Sequence, residues 1–247
     1  MTQEEYRQSC MDVVYLASCA VNGEKPDADR VARMDLENLY KAAERHLLTA
    51  ITAMALECAG VSDELFVQAK GNAIRKVVLF DIERDVVLSK LEEAGIWYMP
   101  LKGAVMKDLY PKIGMRQMAD NDIFYDVTRS EDVRAIMESL GCETVSYVAD
   151  EYHHDHYYKA PVCNFEMHRA LFMPGTSDAV FQYYNNNIRD KMIPDEGKAY
   201  GYHLSPEDFY LYMIAHEYKH YAAGGTGMRS LLDTYVFLRK YGEALDM

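Results

Sequence analysis

The spacing of hydrophobic positions divides the chain into a helical beginning and a mixed middle. Through most of the first 94 residues, apolar side chains recur every three to four positions, which is the spacing of one helix face. Helices are therefore predicted over 3–20, 34–59 and 71–94. One face of the third helix is formed by Ile74, Val78, Ile82 and Val86. Gly95 is suited to end that helix because glycine readily adopts a left-handed backbone.

From residue 96 onward, short apolar runs and alternating positions replace the helical spacing, a pattern typical of strands. Strands are predicted within IWYMP (96–100), DNDIFYDV (120–127), CETVSYV (142–148), HHDHYYK (153–159) and VCNFEMH (162–168). Helices are predicted over 103–110, 130–140, 206–222 and 228–242. Ser130 is the expected N-cap of the second of these helices, since serine side chains accept hydrogen bonds from free backbone N–H groups.

These elements indicate an α+β protein with a helical N-terminal part, a small mixed β-sheet core with flanking helices, and a helical C-terminal tail. The predicted division is 1–94 for the helical region, 95–204 for the α/β core and 205–247 for the C-terminal helices that pack on the core.

Composition and charge narrow the function classes. The chain has 247 residues, 49% of them hydrophobic, enough to bury a core. Its 26 basic against 39 acidic side chains give a net charge of -13, which makes long nucleic acid an unlikely partner. Five cysteines without a CxxC pair, and an acidic start without a signal-peptide pattern, predict a cytoplasmic protein. No apolar run is long enough to span a membrane, and the pattern says nothing about oligomeric state.

Candidate chemistry is concentrated in the second predicted strand. Residues two apart on a strand point the same way, so Asp120 and Asp122 share a face. Two adjacent carboxylates repel unless a cation lies between them. Their hard oxygen ligands suit Mg²⁺ or Mn²⁺, which also bind substrate phosphates.

The strand VCNFEMH places Glu166 and His168 on its polar face. If this strand pairs beside the first, Glu166 becomes the third carboxylate of a metal site for phosphoryl chemistry. Lys102 and Gly103 precede a short helix; a lysine adds a point charge for phosphate, and glycine allows close approach of a ligand. An isolated D-x-D is a weak signal, so the ordered set of these motifs carries the prediction.

The run LKGAVMKDLY…MRQMADNDIFYD, followed by NFEMHRAL, resembles the uncharacterised nucleotidyltransferase family of the DNA polymerase beta-like superfamily. The resemblance covers about residues 90–240. It implies metal binding by Asp120, Asp122 and Glu166, and transfer of a nucleoside monophosphate from an NTP to an acceptor that the sequence does not identify. By position, it also assigns Lys102, Gly103 and Arg116 to the nucleotide phosphates.

Two positions depart from the superfamily pattern. Ala104 stands where a serine usually follows the glycine, and Asn121 stands between the aspartates where an apolar residue is usual. The alternative is therefore a catalytically inactive nucleotide-binding or regulatory module of the same fold.

Histidines supply the remaining candidates. YHHDHYYK contains a cluster of His153, His154, Asp155 and His156. These residues bind a transition metal, line the cleft beside Glu166 and His168, or lie in solvent. The segment HEYKH (216–220) matches H-E-x-x-H, and a zinc hydrolase is the least favoured alternative because no third ligand follows at the usual spacing. The family resemblance instead makes His216, Lys219 and His220 candidate contacts for triphosphate or acceptor, while His216 is equally well read as part of a polar patch on a core helix. Arg229 and Asp233 are interpreted as an ordinary surface pair.

Overall fold

The computed structural model describes residues 1–147, 154–173 and 178–246. The α-helices in these ranges are α1 (Gln3–Asn22), α2 (Ala28–Val31), α3 (Leu36–Arg45), α4 (Thr49–Cys58), α5 (Glu64–Glu93), α6 (Gly103–Met106), α7 (Ser130–Ser139), α8 (Asp178–Asn185), α9 (Ile188–Lys191), α10 (Pro206–Gly224) and α11 (Met228–Tyr241). The strands are β1 (Tyr98–Pro100), β2 (Asn121–Tyr125), β3 (Glu143–Ser146), β4 (His154–Lys159), β5 (Cys163–His168), β6 (Met192–Pro194) and β7 (Tyr202–Leu204). The α+β prediction is confirmed.

The chain forms two compact units. The first comprises Met1–Val77, Met106–Met118 and Glu217–Glu243, and the second comprises Val78–Val105, Ala119–His216 and Ala244–Met247. The division into 1–94, 95–204 and 205–247 follows the sequence alone and stays a prediction.

A buried helix organises the first unit. Helix α4 has almost all of its residues buried, and α1 packs against both α3 and α4. The side-chain oxygen of Gln117 accepts hydrogen bonds from the Thr49 hydroxyl at 2.9 Å and the Ala50 N–H at 3.0 Å. These bonds satisfy polar groups at the start of a helix that lacks a side-chain cap of its own.

The apolar spacing over 34–59 is divided between two helices. Helix α3 ends at Arg45 and α4 begins at Thr49, with Leu47 between them at a φ of 55°. A left-handed residue interrupts helical hydrogen bonding, so the chain changes direction at this point. The two short helices then pack against each other, which one continuous helix would not allow.

The second unit is built on a mixed sheet in the order β1-β2-β5-β4-β3. Strands β2 and β5 are parallel, and the other neighbouring pairs are antiparallel. All five residues of β2 are buried, which identifies it as a central strand. At the outer edge, every residue of β3 is exposed. A separate antiparallel pair is formed by β6 and β7.

Helix α5 is longer than predicted, and its buried face differs from the one singled out by spacing. Val78, Ile82 and Val86 are 40%, 53% and 38% exposed. The neighbouring stripe is buried instead; its members are Val77, Phe80, Val87 and Leu91. Two apolar stripes lie side by side on this helix, and the buried one carries the large Phe80 ring.

The predicted N-cap at Ser130 is wrong. Ser130 is the first residue of α7, and the cap position is taken by Arg129, whose side chain makes no capping hydrogen bond. Asp126 instead caps the 3₁₀ turn that precedes α7, where its carboxylate accepts a hydrogen bond from the Thr128 N–H at 3.1 Å. A 3₁₀ turn over Val127–Arg129 thus leads into α7.

Among the helices in the described part of the chain, none combines the length and apolar character needed to cross a membrane.

Candidate functional site

The site is built on the two parallel strands in the middle of the second unit. In their register, Asp122 of β2 lies directly opposite Glu166 of β5. Side chains at paired positions of neighbouring strands project to the same side of the sheet. The two acidic residues, 44 positions apart in the chain, are thereby adjacent in space.

Lys102 lies between these carboxylates. Its Nζ atom is 2.6 Å from Asp122 Oδ1 and 3.7 Å from Glu166 Oε2. The Leu101 N–H donates to the Asp122 carbonyl at 2.9 Å, which joins the chain before Lys102 to β2. Lys102 itself has a φ of 45°, a strained conformation for a residue with a side chain. The left-handed position in this loop is therefore Lys102 and not Gly103.

Asp120 directly precedes β2, is the third acidic residue of this group, and lines a cavity. The cavity has a volume of about 340 Å³, and Asp120, His156 and Glu166 are among the residues that line it. Two acidic residues of the group therefore line a space of small-molecule size.

The acidic groups have very different proton affinities. Burial, together with the charges of Asp122 and Glu166, raises the pKa of Asp120 to about 7. Burial acts against ionisation of Asp122, but the Lys102 ammonium and His168 hold its pKa well below the usual range. Glu166 is also buried, yet its hydrogen bond with His168 contributes to lowering its pKa to about 2. Near neutral pH the group thus contains two ionised carboxylates and a third that is close to half-protonation.

Imidazole rings surround Glu166. The Nε2 atom of His168 is 2.8 Å from Asp122 Oδ1 and 3.5 Å from Glu166 Oε2. His156 Nε2 is 3.0 Å from Glu166 Oε1, which agrees with the expectation that this histidine lies beside Glu166. Burial lowers the pKa of His154 to about 4. His153 lies outside the described residues.

Asn121 is accommodated by α5. Its side chain is fully buried, its amide donates to the Phe80 carbonyl at 3.2 Å, and its oxygen accepts from Arg84 at 3.4 Å. Because its donor and acceptor are both used, the polar residue between the two aspartates is compatible with a buried strand.

Arg116 lies in the first unit, in a buried ion pair. Its Nε and Nη2 atoms are each 2.9 Å from the carboxylate of Asp233, and the Tyr110 hydroxyl donates to the same carboxylate at 2.7 Å. The interpretation of Asp233 as half of a surface pair with Arg229 is therefore wrong: Asp233 is 4% exposed, and Arg229 donates to the Gln117 carbonyl at 3.1 Å. The assignment of Arg116 to phosphate stays a prediction, and its ion pair with Asp233 gives it a structural role.

The remaining predicted residues lie on α6 and α10. Gly103 is buried and begins α6, which is a single turn of four residues. His216 belongs to the second unit, is partly buried, and has its ring 6.0 Å from that of Tyr212. Lys219 and His220 belong to the first unit, where His220 is exposed. Their predicted contacts with nucleotide or acceptor stay predictions.

Sequence reasoning missed Tyr212. This residue of α10 is fully buried, and its hydroxyl has no hydrogen-bond partner among the residues that the structure describes. The charges of Lys102, Asp122 and Glu166 all act on its pKa, which burial raises above the usual range. No sequence signal distinguishes it from the other 19 of the chain's 20 tyrosines.

The chain belongs to the uncharacterised nucleotidyltransferase family, whose model matches residues 32–247. This membership confirms the family resemblance and supports a nucleotidyltransferase-like function.

Among solved structures, an antigenic nucleotidyltransferase-like protein from Paracoccidioides brasiliensis is similar to this chain. The match has 18% sequence identity and a TM-score of 0.40, and it covers 63% of this chain and 73% of that protein. A search of curated proteins finds no match.

The donor set fits a divalent cation. Three carboxylates lie around one ammonium group, so negative charge exceeds positive charge among them. Oxygen ligands of this kind are those that Mg²⁺ and Mn²⁺ prefer.

Proposed function

We propose that the protein transfers a nucleoside monophosphate from an NTP to an acceptor, with Mg²⁺ or Mn²⁺ held by Asp120, Asp122 and Glu166. The observation that carries the proposal is the parallel register that sets Asp122 opposite Glu166, with Lys102 between them. Further support comes from the cavity that Asp120 and Glu166 line, since two of the three proposed ligands adjoin a space of small-molecule size.

In this reaction an acceptor oxygen attacks the α-phosphorus, the bond to pyrophosphate breaks, and the acceptor proton must leave. A divalent ion would neutralise the charge that develops on the phosphate oxygens. Lys102 supplies a fixed positive charge for the phosphates, since its burial is offset by the carboxylates that keep its pKa raised.

The proton acceptor in this proposal is Glu166, whose carboxylate lines the cavity and lies opposite Asp122. The pKa of Asp120 is raised to about 7 by burial and by the charges of Asp122 and Glu166. A bound cation would offset that repulsion, so Asp120 would serve as an ionised ligand rather than as a base.

The test uses Asp122→Asn, which removes a charge and keeps the side-chain size. With α-labelled NTPs and cell extract as a source of acceptors, we expect loss of label transfer by at least about 10³-fold, because charge stabilisation of the transition state is lost. Asp85→Asn, at an exposed position of α5, should keep full activity. Full transfer by a folded Asp122→Asn variant would overturn the assignment.

Calorimetry with NTP and Mg²⁺ tests the alternative of a catalytically inactive module. Wild-type protein that binds nucleotide but transfers no label to any extract component would support this alternative. Binding that disappears in Asp122→Asn would then still assign the nucleotide to this cluster.

A further inference from the structure

A second group of metal-ligand side chains lies on β4 and β5. His154, Glu166 and His168 each offer one ligand atom, and these atoms all lie within 4.8 Å of one another. His154 and His168 are paired across the two antiparallel strands, and Glu166 is two residues from His168 on the same strand. The sheet itself therefore brings the three side chains together. In the described part of the chain, HEYKH belongs to no such group.

We propose that His154, Glu166 and His168 bind a divalent transition-metal ion of the Zn²⁺ class. Two imidazoles and one glutamate form a His₂Glu set, which zinc binds in sites that keep a fourth position open. Imidazole nitrogen favours zinc-like ions over Mg²⁺, which prefers oxygen ligands. This set thus differs in chemistry from the carboxylates of the proposed transferase site, although Glu166 belongs to both.

The spacing of the group is close to what a tetrahedral ion requires. Ligands bound at about 2.0–2.2 Å in a tetrahedron lie about 3.4 Å apart. Within the group, His168 Nε2 and Glu166 Oε2 are already 3.5 Å apart. The rings of His154 and His168 have their centroids 5.1 Å apart. Since all three ligand atoms already lie within 4.8 Å of one another, they need to move only slightly closer to bind one ion.

Neighbouring groups orient these ligands. Asp122 Oδ1 is 2.8 Å from His168 Nε2, so with that nitrogen bound to the ion this carboxylate would lie beside the ion as a further oxygen donor. His156 lies 3.0 Å from Glu166 Oε1 and stacks on His154 with centroids 4.6 Å apart. Two of the three ligands are therefore in contact with a partner that restricts their rotation.

The experiment measures Zn²⁺ binding by the full chain after treatment with a chelator, by calorimetry in competition with a chelator of known affinity. We expect one tight site in the wild type that millimolar Mg²⁺ does not displace. His154→Gln should weaken Zn²⁺ binding at least about 10- to 100-fold. The control is His203→Gln on β7, where the native ring pairs with Asp195 at 2.6 Å; its Zn²⁺ affinity should equal that of the wild type.

Co²⁺ provides a second measurement that needs no variant. Nitrogen-ligated tetrahedral Co²⁺ absorbs strongly in the visible, so the wild-type protein should show such a band, and its absence would overturn the proposal. Unchanged Zn²⁺ affinity in His154→Gln would also overturn it. So would loss of zinc in His216→Gln alone, which would assign the ion to HEYKH.

Asp120→Asn separates this inference from the proposed function. Asp120 is not one of the three ligands, so the variant should keep wild-type Zn²⁺ affinity while losing nucleotidyl transfer. Equal loss of Zn²⁺ binding in Asp120→Asn and His154→Gln would place the ion among the carboxylates and contradict the separate site.

Discussion

Each compact unit contains a buried ion-pair cluster, and the two clusters are built differently. In the first unit, Arg116 meets a single carboxylate, that of Asp233, through two hydrogen bonds of 2.9 Å. In the second unit, Lys102 is 2.6 Å from Asp122 and 3.7 Å from Glu166, and Asp120 adds a third acidic group. The first cluster contains one carboxylate, and the second contains three.

Under the proposed function, this difference distinguishes a structural pair from a functional group. A buried Arg–Asp pair with bidentate hydrogen bonds satisfies the hydrogen-bonding groups of both partners. An ammonium that pairs with two carboxylates, beside a third acidic group, leaves negative charge unbalanced, which a bound cation would neutralise. Burial alone does not separate the two cases, because Asp122 and Asp233 are 1% and 4% exposed.

The largest effect on stability is expected from Asp233→Ala. The variant leaves the Arg116 guanidinium and the Tyr110 hydroxyl buried without their acceptor. Breaking a buried pair from one side typically costs about 3–5 kcal/mol. Urea denaturation should therefore show a free energy of unfolding that is lower than that of the wild type by about this amount.

Glu37→Ala is the matched control for this loss. Glu37 pairs with Lys41 at 2.5 Å in the same unit, but both side chains are largely exposed to solvent. Exposed pairs contribute little because water and salt screen them, so no measurable change is expected. Equal effects of the two variants would remove the proposed structural role of Arg116.

A smaller effect of opposite sign is expected from Asp120→Asn. Its folded-state pKa of about 7 lies above the ordinary value of 3.8, so the folded protein binds the proton more tightly than the unfolded chain. The stability that this proton gives is fully present below about pH 4 and is lost as the pH rises to about 7. Above that range the variant should be more stable than the wild type by about 1–3 kcal/mol, and near pH 4 the two should converge.

Thermal unfolding across pH 4–8 measures this difference. Added Mg²⁺ should reduce it, because a bound cation compensates the charge of Asp120 in the wild type. Asp85→Asn should leave the pH profile of the wild type unchanged. Parallel pH profiles for wild type and Asp120→Asn would show that the acidic group carries no unfavourable charge.

The local parts of this site could be predicted from the sequence. Strand alternation is a property of the backbone, so the shared face of Asp120 and Asp122 and the polar face of β5 follow from residue order. Pairing of β2 with β5 depends on packing of the whole sheet, so strand alternation alone could not predict it. The family resemblance, not the alternation, implied that Glu166 joins Asp120 and Asp122.

Long-range partners were beyond prediction for the same reason. Arg116 lies near the aspartates in sequence, but its partner Asp233 is 117 positions away. Which of the two apolar faces of α5 is buried likewise depends on tertiary packing, which helical spacing does not specify. The left-handed turn at Leu47 could not be predicted either, since leucine has no preference for that conformation.

Tyr212 and its neighbour Tyr184 provide the last comparison, because both are buried tyrosines but only one of the two hydroxyls is hydrogen-bonded. Both rings are buried and pack together with their centroids 6.0 Å apart. The Tyr184 hydroxyl donates to the Asp208 carbonyl at 3.1 Å, whereas the Tyr212 hydroxyl has no hydrogen-bond partner within the described ranges. Removing a satisfied hydroxyl costs stability, and removing an unsatisfied one relieves a desolvation penalty.

We therefore expect Tyr184→Phe to lower the free energy of unfolding by about 0.5–1.5 kcal/mol and Tyr212→Phe to raise it by up to about 1 kcal/mol. Urea denaturation of the two variants in parallel measures the difference in sign. The same variants should transfer nucleotide like the wild type, since the proposed reaction assigns no proton to either hydroxyl. A loss of stability in Tyr212→Phe equal to that in Tyr184→Phe would mean that the Tyr212 hydroxyl is bonded in solution, and a loss of transfer would add it to the residues that contact the substrate.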